Sequence, residues 1–123
     1  MIVDNGLAWA VNRCAGTSND VTSIGVGTGT TAAQTTDTAL LTEVMPAGGS
    51  TRNAAAGTSP TATKRRYIMN MTTAQGNGND FTEVGLFLAS SAGTMITRAV
   101  HAAYTKSITI SVKYQIDITF GRV

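Results

Sequence analysis

The sequence predicts a mainly β fold, an antiparallel β-sandwich or small barrel with one or two short helices. Three observations carry that prediction. In "SITISVKYQIDITF" (107–120), Ile108, Ile110, Val112, Tyr114, Ile116, Ile118 and Phe120 occupy even positions and polar residues occupy the odd ones. A period of two is the signature of a strand with one buried face. "FTEVGLFLAS" and "TMITRAV", joined through the glycine-containing "SAG", read as a β-hairpin. Helical patterning, by contrast, is confined to the N-terminal third.

The first element is a helix over about 4–15, "DNGLAWAVNRCAG", with Asp4 or Asn5 as N-cap and Leu7, Trp9, Ala10 and Val11 as apolar bulk. Gly16 stands where a left-handed C-terminal residue is wanted. Trp9 is expected to be a core or interface anchor, and Cys14 a buried, inert thiol. "VTSIGVGT" follows as a strand. Its glycines Gly25, Gly27 and Gly29 strip side chains from one face, so a second backbone can approach, from this chain or a neighbouring subunit. "TTDTALLTEV" (35–44) has a capping pattern before a short apolar run and predicts one or two helical turns.

Residues 45–63 are Gly/Ala/Ser-rich, bracketed by Pro46 and Pro60, and read as a long loop or extended arm. "KRRYIMNMTT" is strand-like, with Tyr67, Met69 and Met71 on one face, and "QGNGND" is a turn. The hairpin and the alternating strand complete the chain. At ~3.3 Å per residue that last strand would exceed roughly 40 Å, so a bend or pairing with another subunit is expected.

The 123 residues make one domain, 1–123. Only 13% are charged, about half the usual share, which favours an assembly component whose small neutral surface is easily buried. The net charge of +2 concentrates only at Lys64, Arg65 and Arg66, which argues against nucleic acid as a partner. One cysteine excludes an intrachain disulfide. No apolar run is long enough to span a membrane, and the N-terminus does not read as a secretory signal. Folding in a reducing cytoplasm is the expectation.

"SIGVGTGTT" invites comparison with a phosphate loop and fails it. A Walker A loop needs Gly-Lys-Ser/Thr after the spacer, and here Gly29 is followed by Thr30 and Thr31. The dinucleotide fingerprint needs a third glycine where Thr30 or Ala32 stands, and a crossover unit that an antiparallel chain lacks. No spacing places His101 beside Cys14 or a nucleophile, and one His with one Cys makes no metal cluster. Glu83 shares strand parity with Phe81 and Phe87, so it is expected to be partly buried and paired with an arginine such as Arg98. Asp117 is expected to be solvated. No catalytic residue, metal or cofactor is predicted; the protein reads as a non-enzyme.

"IGVGTGTTAAQTTDTALLTE" (24–43), "FTEVGLFLASSAGTMITRAV" (81–100) and the closing strand, in that order, resemble a group of small tailed-bacteriophage structural proteins. Related tail-fibre and collar-type domains share the pattern, an "IGxGTGTT…TDTAL…E" segment before a "TEVGLF…GTM…R" hairpin. The resemblance implies a β-rich virion component, assembled in the host cytoplasm as a symmetric homo-oligomer, a trimer being favoured. No repeated shaft or receptor domain is attached, so a self-contained module is expected, most simply a capsid decoration (cement) protein. A tail or neck fibre or baseplate adaptor is the alternative, and a host-surface carbohydrate-binding module a more distant one. Its partners would be other virion proteins, such as the major capsid or tail proteins. Candidate interface residues are Trp9, Gly25, Gly27, Gly29, Lys64, Arg65 and Arg66, with the 45–63 arm lying across a neighbour.

Overall fold

A computed structural model describes residues 1–121. It is mainly β, as the sequence predicts: one helix and two antiparallel sheets stacked as an open sandwich, not a closed barrel. Helix α1 (Asp4–Cys14) opens the chain. Strands β1 (Ser23–Gly27), β2 (Glu43–Val44), β6 (Asp80–Phe87) and β7 (Met95–Thr105) form the first sheet in the order β2-β1-β6-β7. The short β3 (Asn53–Ala54) also pairs with β1. The second sheet is β4 (Ala56–Thr61), β5 (Lys64–Met71) and β8 (Val112–Thr119), in that order.

Helix α1 ends as its sequence dictates. Gly16 adopts φ 72°, and the N–H groups of Gly16 and Thr17 return to the carbonyls of Arg13 and Asn12. That is the double hydrogen bond of a Schellman cap, which needs a residue without Cβ strain. The N-terminus departs from expectation. Val3 is the N-cap, without a side-chain cap bond. Tertiary structure replaces the cap, since the Asp4 N–H donates to the Thr35 carbonyl at 2.7 Å. Trp9 is 8% exposed and belongs to the core, where its Nε1–H donates to the Asn19 carbonyl at 2.8 Å. Cys14 is exposed, not buried, because the core-facing stripe of α1 runs through Gly6 and Trp9.

Between the sheets lie Ile24, Val26, Val84 and Leu86 from the first and Tyr67, Met69, Met71 and Ile118 from the second. Fully burying one such side chain stabilises the fold by on the order of 2 kcal/mol. The first sheet is also covered on its other face. Every residue of β1 is buried, as is β6 from Phe81 onward, because the 28–42 segment folds over that outer surface. Val3, Leu40, Phe87 and Met95 form a second, smaller core there.

Three segments differ from their sequence-based expectation. Residues 35–42 form turns, not helix, because the N–H groups of Leu41 and Thr42 donate to Glu83. Part of the 45–63 arm is strand: β3 and β4 lie in it, and β4 pairs with β5. Pro60 is tolerated because β4 is an edge strand and Pro60 falls where its register shifts. The final strand is shorter than its alternation, since residues 107–111 turn before β8 begins and leave Ile108 and Ile110 exposed.

Candidate functional site

The residues that carry the sequence motifs converge on the outer face of the first sheet. Antiparallel register places Gly25 opposite Gly85 and Gly27 opposite Glu83. The missing side chains make a trough, and this chain fills it. A Cβ on Gly25 would lie 2.6 Å from the Phe87 ring; on Gly27 or Gly29 it would lie 2.5 or 2.8 Å from Glu83 Oε1. The three glycines are buried by their own fold. Of the two occupants the sequence left open, this chain or a neighbouring subunit, the chain itself packs against them.

Glu83 and Arg98 are both fully buried and paired, as strand parity suggested. Glu83 Oε1 accepts from the N–H groups of Gly29 (3.1 Å) and Thr42 (2.8 Å). Oε2 accepts from the Leu41 N–H at 3.1 Å and from Arg98 Nε at 3.0 Å. Arg98 also donates through Nη1 to Asp37 (2.9 Å) and through Nη2 to the Thr31 carbonyl (2.8 Å). Burial alone would raise the Glu83 pKa, but the backbone donors and Arg98 overcome it and hold the carboxyl below its ordinary range. The Gln34 N–H, seconded by Arg98, likewise lowers Asp37. Two carboxylates and one guanidinium thus staple the 28–42 segment to β6 and β7. A carboxylate this enclosed and saturated is a structural anion, with no lone pair left for proton transfer to a substrate.

A second staple stands beside it. Arg52 forms a bidentate pair with Glu43, donates to the carbonyls of Ala89 and Ala92 at 2.9 and 2.7 Å, and sits 3.5 Å above the Phe87 ring. Sequence reasoning missed Arg52. Its available signal was that it is the lone charged residue in 45–63.

The basic trio is engaged within the chain. Arg66 makes two hydrogen bonds to Asp117, at 2.9 and 3.1 Å, and Lys64 lies 3.7 Å from the same carboxylate. Asp117 is therefore an ion-pair partner, not an isolated solvated group, and Arg66 lowers its pKa. Arg65 Nη2 donates to Asp20 at 2.6 Å, and the Tyr67 hydroxyl donates to the same carboxylate at 2.6 Å. Burial, reinforced by that bond to Asp20, pushes the Tyr67 pKa up to about 12. Each cation keeps about a third of its side chain exposed.

Among the described residues His101 joins neither Cys14 nor a carboxylate. The Tyr104 hydroxyl donates to the Tyr114 oxygen at 2.8 Å, and the Tyr114 hydroxyl lies 2.9 Å from His101 Nε2. His101 Nδ1 contacts the Ala102 carbonyl, which fixes the Nδ1–H tautomer and leaves Nε2 to accept from Tyr114. This tyrosine-histidine chain bridges the two sheets where β7 and β8 leave the sandwich open. Next to it a cleft of about 240 Å³ is lined by Met1, Ile2, Ala99 and Ile116, among others.

No protein-family model, curated protein or solved structure matches this chain.

Proposed function

We propose that the protein is a non-enzymatic structural component of a bacteriophage virion, a capsid decoration protein that stabilises the shell through subunit contacts. The observation that carries the reading is the fate of the motif residues. Gly25, Gly27, Asp37, Glu43, Glu83 and Arg98 are spent on an internal staple, so the motif serves folding and leaves its chemistry saturated. Such a motif suits a module whose task is to hold shape under load.

The surface supports the same reading. Charge is sparse, and Leu7 and Val11, one helical turn apart on the outer side of α1, are 58% and 68% exposed. Together with Leu41 at 53%, they offer apolar contact area to a neighbouring subunit. The test is localisation by electron cryo-microscopy of particles from the genome that encodes the chain. Density of this sandwich on the shell surface is the expected result. Density at the tail or neck refutes decoration in favour of a fibre or adaptor, and absence from purified particles refutes the virion reading.

A further inference from the structure

We propose that β8 is a self-association edge: two copies of the chain pair antiparallel, strand to strand, about a two-fold axis at Gln115. Among the described residues β8 terminates its sheet, bonded only to β5. The Phe120 N–H donates to the Thr63 carbonyl at 2.8 Å, so even-numbered residues of β8 bond β5. Antiparallel alternation then turns the N–H and C=O groups of Lys113, Gln115 and Asp117 toward the open edge. The corresponding edge of β7 is partly shielded, because Met1 and Val3 bond to Arg98 and Ile96. β8 has no such cover among the described residues.

Side-chain charge selects the occupant and the register. Pairing centred on Gln115 sets Lys113 opposite Asp117 of the second copy, and symmetry repeats the contact. Lys113 has no carboxylate within ion-pair distance among the described residues, while Asp117 already carries Arg66. The paired sheet would therefore run Arg66, Asp117, Lys113 across its outer face with alternating sign. Centring the contact on residue 113 would oppose two lysines, and on residue 117 two aspartates, both repulsive. A strand of this sequence complements itself best in one register.

Apolar residues agree. Carried past the strand ends, the same register brings Ile110 against Phe120 of the second copy; they are 41% and 57% exposed in the single chain. The half-buried Tyr114 and Ile116 and the cleft between the sheets lie directly beneath this edge.

The inference deepens the proposed function by naming its self-contact, and rests on that reading only for the expectation of self-association. An isologous contact gives a dimer in place of the trimer anticipated from sequence. Light scattering of the purified chain at micromolar concentration should report a dimer; a monomer or a trimer overturns the proposal. Gln115→Pro removes an N–H that faces away from β5, so it should yield a folded monomer, and a surviving dimer overturns the proposal.

Should that variant misfold, cross-linking decides. In a Cys14→Ser background, Gln115→Cys should form a disulfide dimer on mild oxidation, because facing Cα atoms would lie about 5.5 Å apart. Lys113→Cys should not, its two copies lying about 13 Å apart at ~3.3 Å per residue. No cross-linking at 115, or equal cross-linking at both sites, overturns the register. Localisation on particles is read separately, so the edge and the virion reading fail independently.

Discussion

Replacing Glu83 with Gln changes one oxygen to nitrogen in a side chain that solvent does not reach. The consequence follows from the donor count. Each carboxylate oxygen accepts two hydrogen bonds, from the N–H groups of Gly29 and Thr42 on one side and from Leu41 and Arg98 on the other. Glutamine offers one acceptor oxygen, so its NH₂ must face one of these donor pairs. Arg98 meanwhile keeps only Asp37 as a counter-charge. Removing one partner of a buried ion pair costs about 3–5 kcal/mol. For a domain of this size that corresponds to a fall in Tm of roughly 10–20 °C.

Urea and thermal unfolding followed by far-ultraviolet circular dichroism measure it directly. The pH dependence adds a second signature. Folding holds the Glu83 pKa below its ordinary value of 4.5, so its contribution is present above that value. That contribution is lost as pH falls through the folded value, and Glu83→Gln should flatten this acid limb. A loss below about 1 kcal/mol, or an unchanged acid limb, refutes the staple as a main support of the fold.

Other outcomes follow from the same contacts. Gly27→Ala drives a Cβ into the Thr42 carbonyl and Glu83 and should cost about 1–3 kcal/mol by overpacking, whereas Gly121→Ala, which meets open space, should stay within about 0.5 kcal/mol in the same urea titration. Arg52→Ala orphans Glu43 and uncovers Phe87, and should destabilise by about 2–4 kcal/mol. Deleting residues 47–59 removes Arg52, β3 and most of β4 and should abolish cooperative unfolding; a deletion variant with native stability would refute their structural role. In an ultraviolet pH titration Tyr67 should ionise near pH 12, and Tyr104 and Tyr114 above the ordinary 10, since burial raises all three. Because the folded values are the higher, that stability is complete below pH 10 and falls as pH rises toward 12; a full tyrosine transition at pH 10 in the folded protein refutes the buried network.

Much of the fold was legible in the chain. The period-two runs at 64–73 and 107–120 placed β5 and β8, and Tyr67, Met69 and Met71 face the core as their spacing requires. Gly16 ended α1 where the sequence put it. The pairing of Glu83 with Arg98 was readable because an acidic residue in step with Phe81 and Phe87 needs a buried counter-charge. Less legible were the segments whose hydrogen bonds go to distant partners. The 35–42 run has a helix-like start, but its N–H groups are claimed by Glu83, about forty residues away. The 53–61 segment has no apolar side chain larger than its alanines and Pro60, and β5 supplies the edge that makes part of it a strand.

The sequence by itself determined the class of fold, the faces of its strands and the presence of unusual glycines and paired charges. Those properties are local, since alternation and side-chain size are set by neighbours two residues apart. Tertiary structure decided what fills the glycine trough. Gly25, Gly27 and Gly29 remove bulk equally well for a second subunit, a ligand or the chain itself, and sequence carries no label for the occupant. The occupant is Glu83 with Phe87, because β1 and β6 pair in a register that sets Glu83 opposite Gly27, and the 28–42 segment closes over both. Long-range register is fixed by the summed burial of two whole strands, and that sum exists only once the sandwich has formed.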